Sequence, residues 1–252
     1  MAADGATARG DNRPSAMFFW PTPERPTAVR SEGIYIWDDS GRRYVDASSG
    51  PQTTNIGHGN ARVVEAMAEQ AKRLTFAFRS HFLNEPAEEL AREIAAATPD
   101  GFDMVFFNSG GSEAVETAIK LARQYALAIG QAQRYKIISR IPSYHGTTLG
   151  ALSLTGDPAG FAMFAPMLVN QPKIPAPFCR YRRPGQTADE AALEYAQALE
   201  DEILRQGPQT VLAYIQDPVG GAATRALVAP DVYYGRIRES CDRYGLLLIH
   251  DE

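Results

Sequence analysis

The residues best suited to bind a ligand lie in a short polar run at 108–113, Asn-Ser-Gly-Gly-Ser-Glu. The apolar run at 104–107 before it predicts a strand, and apolar residues at helical spacing after it predict a helix with Ser112 as its N-cap. Backbone N–H groups at a helix start have no intrahelical partner, and the helix dipole favours anions there. Gly110, Gly111 and Ser112 could therefore bind a phosphate, although many such turns only connect a strand to a helix.

The common nucleotide motifs are absent from the sequence. No G-x-x-x-x-G-K-[ST] occurs, and Gly110 and Gly111 lack the later glycine of G-x-G-x-x-G. The sequence thus favours a phosphate carried by something other than a common nucleotide.

Composition indicates a globular chain in a reducing compartment. Of 252 residues, 44% are hydrophobic and 22% charged, which is enough to bury a sizeable core. The net charge of -5 argues against a nucleic-acid surface. Only Cys179 and Cys241 are present, so neither a disulfide framework nor a cysteine-rich metal site is indicated. The N-terminus has no signal-peptide pattern and no apolar run approaches about 18 residues, so we expect a cytoplasmic protein without a membrane span.

Strand and helix patterns alternate along most of the chain. Residues 1–16 predict a disordered lead, and 34–46 predict a β-hairpin. Beyond these, helices are predicted at 60–74, 85–97, from 112, 188–205 and 231–244, and strands at 104–107, 136–139, 211–216 and 246–249. In the second helix, Leu90, Ile94 and Ala95 are expected to face inward. Strands that are apolar throughout favour an α/β fold, a mostly parallel sheet covered by helices.

Polar residues follow several of these strands. Ser112, Tyr144, His145, Asp217 and Asp251 each come after an apolar run. Ligands in α/β sheets gather beyond the carboxyl ends of the strands, so these side chains are predicted to meet in one crevice.

A histidine in a glycine-rich loop is a further candidate. His58 lies between two glycines and has no acidic residue close by in sequence. We interpret it as structural rather than catalytic.

Four motifs in order carry a resemblance to a known family. They are SGGSEAVETAIKLAR at 109–123, SYHGTTLGALSLTG at 143–156, DPVGGA at 217–222 and DRYGLLLIHDE at 242–252. Together they resemble the class III, or omega, aminotransferases of the fold type I pyridoxal phosphate enzymes. The chain departs from the family pattern in two places: Asp217 stands where Glu is usual, and S-G-G-S-E replaces N-S-G-S-E.

The resemblance implies a role for each cofactor-facing residue. Gly110, Gly111 and Ser112 would hold the phosphate of pyridoxal 5'-phosphate. Tyr144 would stack on the pyridine ring, while His145 and Gly146 would shape the same loop. Asp251 would pair with the pyridinium nitrogen, and Asp217 would fix the surroundings of Asp251.

The resemblance also implies an activity and a domain division. The activity is transfer of an amino group from an amine or amino acid to a pyruvate-like keto acid, by a ping-pong route in a homodimer. Residues 17–59 would belong to a small domain and 60–252 to a large cofactor-binding domain. Trp20, Gln52 and Phe78 are predicted to border the substrate pocket.

The family's Schiff-base lysine has no counterpart in this sequence. The four lysines are Lys72, Lys120, Lys136 and Lys173, and none matches the family position, which is expected beyond Glu252. The chain therefore reads as a truncated portion of an aminotransferase. An aminomutase, racemase or decarboxylase on the same fold remains an alternative, as does a non-catalytic fragment that binds the cofactor.

Overall fold

A computed structural model describes residues 25–157, 159–221 and 223–252. The predicted lead at 1–16 and Trp20 lie outside these ranges. The chain divides into two compact units, Met1–Asp103 and Met104–Glu252. The predicted division at residue 60 into a small and a large domain stays a prediction. Within the described ranges, no helix has the length and apolar character needed to cross a membrane.

In its described part, from residue 25 onward, the first unit contains a three-stranded antiparallel sheet and three helices. Its elements are β1 (Ala28–Glu32), β2 (Tyr35–Asp38), β3 (Arg43–Val45), α1 (Ser49–Gln52), α2 (Ala61–Arg73) and α3 (Glu85–Ala97). Strands β2 and β3 pair antiparallel, which confirms the predicted hairpin. The Asp38 carboxylate organises the turn because it accepts hydrogen bonds from the Ser40 hydroxyl and the Tyr44 hydroxyl.

His58 has an acidic partner that its sequence context did not indicate, and its structural role stays a prediction. Its Nε2 lies 2.9 Å from Asp46 Oδ2, and its backbone exchanges two hydrogen bonds with Gly33. The partner is twelve residues away in sequence, and the fold of the loop brings the two together.

Helices α2 and α3 form where they were predicted but bury no residue. Asn60 caps α2 by accepting a hydrogen bond from Val63 N. In α3, the prediction that Leu90 and Ile94 face inward is wrong, since they are 51% and 36% exposed, and Ala95 is only half-buried. An apolar stripe indicates which helix face would be covered but does not provide the covering surface.

The second unit is built on a four-stranded parallel sheet. Its elements are α4 (Gly111–Ala128), β4 (Lys136–Ile141), α5 (Leu149–Leu154), β5 (Lys173–Pro175), α6 (Ala188–Gln206), β6 (Val211–Gln216), α7 (Asp231–Tyr244) and β7 (Leu247–His250). The strand order is β5-β4-β6-β7, with every neighbouring pair parallel. The predicted α/β class is confirmed.

Helices cover both faces of this sheet. On one face, Ile138, Val211 and Tyr214 pack with buried residues of α6 and α7. On the other face, Ile137 and Ile215 pack with buried residues of α4 and α5. Neighbouring positions of a strand point to opposite faces, so apolar strands supply both cores at once.

The predicted strand at 104–107 is wrong. These residues have no regular secondary structure, and Met104 is 92% exposed. Apolar and aromatic residues favour a strand, but a strand is stable only beside a partner that takes up its hydrogen bonds. No strand of the described ranges pairs with this segment.

Candidate cofactor site at the carboxyl ends of the strands

The phosphate-binding candidates lie at the start of α4. The N-cap is Gly110 rather than the predicted Ser112, which is the second residue of the helix. Gly110 has extended backbone, and a side-chain carbon built on Gly110 or Gly111 would meet no atom within 4 Å. The turn therefore faces open space, where its backbone N–H groups can reach a ligand.

Ser112 connects this turn to the loop after β4. Its Oγ accepts a hydrogen bond from Thr147 N at 3.0 Å. A hydroxyl has one proton as well as lone pairs, so the Ser112 proton can still be donated to a ligand.

Gly146 lies against the same helix start. Its φ is +127°, a region that favours glycine, and an added carbon would lie 3.0 Å from Ser112 Cα and 3.0 Å from Ala151 Cβ. Close approach of the loop to α4 therefore requires glycine here.

His145 and Asp251 form the second part of the site. His145 Nδ1 lies 2.8 Å from Asp251 Oδ2, and the histidine side chain is fully buried while that of Asp251 is 25% exposed. His145 N also donates to Thr155 Oγ1. Asp251 is thus oriented by a buried imidazole and still presents carboxylate surface at the end of β7.

Asp217 pairs with an arginine that the sequence analysis did not single out. Its carboxylate pairs with the buried guanidinium of Arg140, which also donates to the Asp217 backbone oxygen. Burial alone would lower the pKa of Arg140, but Tyr214, Tyr233 and Asp217 outweigh burial and raise it. Arg140 therefore stays charged, and Asp217 supplies the negative charge that a buried cation needs.

Asp251 is held by the backbone of the residue that precedes Asp217. Asp251 N donates to Gln216 O, the residue before Asp217, at 2.9 Å. The role predicted for Asp217, fixing the surroundings of Asp251, stays a prediction.

Tyr144 precedes His145 on the same loop and is 49% exposed. An exposed aromatic face beside a buried histidine is available to a planar ligand. Gln52 and Phe78 belong to the first unit, where Gln52 is exposed at the end of α1 and Phe78 lies edge-on to His81 at 5.2 Å. Their place beside a substrate stays a prediction.

Two of the three lysines of the second unit donate hydrogen bonds to other parts of the protein. Lys136 and Lys173 begin β4 and β5, at the amino ends of the strands. Lys136 Nζ donates to Gln206 O, and Lys173 Nζ donates to Ser139 Oγ and to the carbonyls of Ser153 and Leu154. Lys120 lies on the exposed surface of α4.

Three residues of this site were not found from sequence: Arg140, Thr147 and Glu116. The last accepts three hydrogen bonds from the start of α5 through its Oε1. An arginine inside an otherwise apolar strand was the one available signal, because a buried charge requires a partner.

The groups present fit pyridoxal phosphate. An open turn of backbone donors suits a phosphate, a half-exposed ring suits an aromatic face, and an oriented carboxylate suits a protonated ring nitrogen.

Comparison with known proteins agrees with this arrangement. The sequence profile of the family "Aminotransferase class-III" matches residues 21–252. The chain belongs to the class III aminotransferases, which use pyridoxal phosphate.

Two relatives and one solved structure show how similar the chain is to known aminotransferases. The chain is 40% identical to the uncharacterized aminotransferase YodT of Bacillus subtilis over 227 residues, which is 90% of this chain and 51% of YodT. It is 35% identical to a putrescine–pyruvate aminotransferase of Pseudomonas aeruginosa over 226 residues, 89% of this chain and 49% of the relative. The omega transaminase from Pseudomonas jessenii, solved in complex with PMP, superposes with a TM-score of 0.86 at 32% identity, covering 93% of this chain and 54% of that one. The chain thus spans about half the length of the relatives it matches.

Proposed function

We propose that this chain forms the part of an omega-type aminotransferase that binds the phosphate and the pyridine ring of the cofactor. The enzyme moves an amino group from an amine or amino acid to a pyruvate-like keto acid by a ping-pong route, as a cytoplasmic homodimer. The observation that carries the proposal is the contact path from Ser112 through Thr147 to the loop whose His145 holds Asp251. A phosphate site and a ring-nitrogen site are thereby held at one end of one sheet. The name of the Pseudomonas aeruginosa relative supports a keto-acid acceptor of this kind.

Each residue has a separate task in this proposal. Bound pyridoxal phosphate supplies a ring that accepts electrons from the donor carbon. Gly110, Gly111 and the Ser112 hydroxyl bind the phosphate and anchor the ring. Asp251 holds a proton at the ring nitrogen, because a carboxylate close to a pyridinium favours its protonated form. Tyr144 covers one ring face and excludes water from it.

His145 acts through Asp251. A fully buried imidazole whose Nδ1 lies 2.8 Å from Asp251 Oδ2 restricts the carboxylate to one orientation. The catalytic amine is proposed to come from a lysine beyond Glu252, since Lys136 and Lys173 donate hydrogen bonds within the protein and Lys120 lies on the exposed surface of α4.

Binding of pyridoxamine phosphate to the 252-residue chain tests the proposed cofactor site directly, because this ligand can bind without forming a bond to a lysine. Equilibrium dialysis is expected to show binding of pyridoxamine phosphate, and inorganic phosphate should reduce this binding by competition. Asp251→Asn should weaken binding by about tenfold, the loss expected for one charge-assisted hydrogen bond. Lys120→Gln, an exposed change on the same helix as the phosphate turn, is the matched control and should bind as the unchanged chain does.

Two results would contradict the proposal. Equal affinity for pyridoxamine phosphate and inorganic phosphate would show that no ring site exists. Treatment with pyridoxal phosphate and borohydride should leave no stoichiometric pyridoxyl-lysine, and finding one would overturn the proposal that the amine lies beyond Glu252.

A longer chain that includes the following segment tests the reaction itself. With a bound cofactor, it should convert an amine donor in a single half-reaction without a keto acid, and added pyruvate should restore the starting spectrum. Conversion that requires both substrates together would rule out the ping-pong route.

A further inference from the structure

Glu116 lies one helical turn beyond the phosphate turn and contacts the other side of the site. Its Oε1 accepts hydrogen bonds from Thr148 Oγ1 at 2.7 Å, Gly150 N at 2.9 Å and Ala151 N at 3.2 Å. Thr148 is the N-cap of α5, but its own side chain makes no capping hydrogen bond. A carboxylate from another helix thus satisfies the N–H groups that α5 leaves unpaired at its start.

Ser112 and Glu116 act on neighbouring residues of one loop. They are four residues apart on α4 and share one face of the helix. Ser112 holds Thr147, and Glu116 holds Thr148. The fit is tight, because a carbon added to Gly150 would lie 2.5 Å from both carboxylate oxygens of Glu116.

The two contacts differ in what a ligand would do to them. The Ser112 hydroxyl is exposed to the phosphate turn and is shared with a bound phosphate under the proposed function. Glu116 makes its three hydrogen bonds to the protein alone. Its charge also makes these bonds stronger than neutral ones.

We infer that Glu116 is a positioning residue that couples the phosphate turn to the loop after β4. It would thereby hold Tyr144 and His145 of this loop at a fixed distance from α4. This inference rests on the proposed function. Loss of the Glu116 charge should loosen the loop while leaving the phosphate donors of Gly110 and Gly111 in place.

The test separates ring affinity from phosphate affinity. In the 252-residue chain, Glu116→Gln is expected to weaken pyridoxamine phosphate binding by about tenfold, while inorganic phosphate binding changes by less than about twofold. Hydrogen exchange of the amides at 144–151 should become faster in this variant, with α6 and α7 unchanged.

Glu113 provides a matched comparison on the same helix. Its carboxylate accepts a hydrogen bond from Ser109 N at 3.0 Å, on the phosphate side of the turn. Glu113→Gln should therefore change the affinities for inorganic phosphate and pyridoxamine phosphate by the same factor. The ratio of the two affinities is the readout that a general loss of stability would not move.

The outcomes distinguish the two proposals. If the unchanged chain binds pyridoxamine phosphate no better than phosphate, the proposed function fails, and the ring-side role of Glu116 fails with it. If the unchanged chain prefers the ring-bearing ligand and Glu116→Gln weakens both ligands equally, the coupling role alone is overturned. Unchanged hydrogen exchange at 144–151 would also overturn it.

Discussion

The two compact units contain helices with equally clear local signals and opposite burial. In the second unit, α6 and α7 place residues such as Leu199, Ile203 and Ile237 in a common core with no exposed surface. In the first unit, α2 and α3 begin and end as predicted, yet none of their residues is buried. Helix formation can thus follow from caps and spacing, whereas the free energy of burial depends on a surface from elsewhere in the fold.

This difference predicts where stability resides. The second unit should unfold cooperatively because its helices and sheet share a core. The first unit should depend on local contacts, such as the Asp38 turn and the Asn60 cap, and exchange its helical amides more readily.

The largest expected effect is on the core. Leu199→Ala should lower the free energy of unfolding by about 2–5 kcal/mol, because it removes buried methyl groups and leaves a cavity. Met67→Ala in α2, where the side chain is 68% exposed, should change it by less than about 0.5 kcal/mol. Urea unfolding followed by far-UV circular dichroism measures both. Comparable losses would show that α2 is covered in solution, and the comparison between the units would fail.

Glycine substitutions test close packing against helix propensity. Gly146→Ala should cost about 1–3 kcal/mol, because its positive φ and its approach to Ser112 leave no room for a methyl group. Gly235→Ala, at an open position in the middle of α7, should stabilise by about 0.5–1 kcal/mol. The same urea experiment applies, and two changes of equal sign would contradict the assignment of Gly146 to a packed contact.

The two side-chain caps should respond differently. Thr187→Ala removes a capping box at the start of α6 and should cost about 1 kcal/mol of global stability, because α6 belongs to the core. Asn60→Ala should instead increase hydrogen exchange only in the first turn of α2. If Asn60→Ala also lowers the unfolding midpoint of the second unit, the expectation that this cap acts only within α2 is wrong.

The smallest effects concern pH, and in both units the stability should rise with pH, over an acidic range in the first unit and an alkaline range in the second. Hydrogen bonds from Ser40 and Tyr44 lower the pKa of Asp38 from 3.8 to about 2. The unfolded chain binds this proton first, so stability is present above pH 3.8 and is lost as the pH falls through about 2. Both tryptophans of the sequence precede residue 104, and Trp37 lies in β2, so tryptophan fluorescence reports acid unfolding of the first unit. Asp38→Asn should remove this part of the pH dependence.

In the second unit, burial lowers the pKa of Lys173 from 10.5 to about 8. Between about pH 8 and 10.5 the unfolded chain therefore holds more protons than the folded one, and stability should rise with pH. Lys173→Met should abolish this rise in stability. The measurement is hydrogen exchange of the α6 amides at increasing urea concentrations, repeated at each pH. A fall in stability over the same range in the unchanged chain would contradict the prediction.

Elements that rest on local patterns were predicted well, and those that rest on partners were not. The boundaries of α7 follow from its spacing and from Gly245, which has a positive φ at the helix end. The run at 104–107 has strand character but no partner strand in the described part of the chain. Strand β5 was missed because three residues ending in proline carry almost no periodic signal, and its pairing with β4 defines it.

By itself, the sequence determined the fold class, the family resemblance and the chemical types at the site: a glycine turn, an aromatic side chain, a histidine and an aspartate after apolar strands. Only the tertiary structure decided the pairings, with His145 on Asp251, Arg140 on Asp217 and Glu116 on the start of α5. The physical reason is that each pairing joins residues 34 to 106 positions apart. Local propensity carries no information on contacts between residues so far apart in the sequence. The close packing of a sheet between helices, in contrast, permits few arrangements of these side chains.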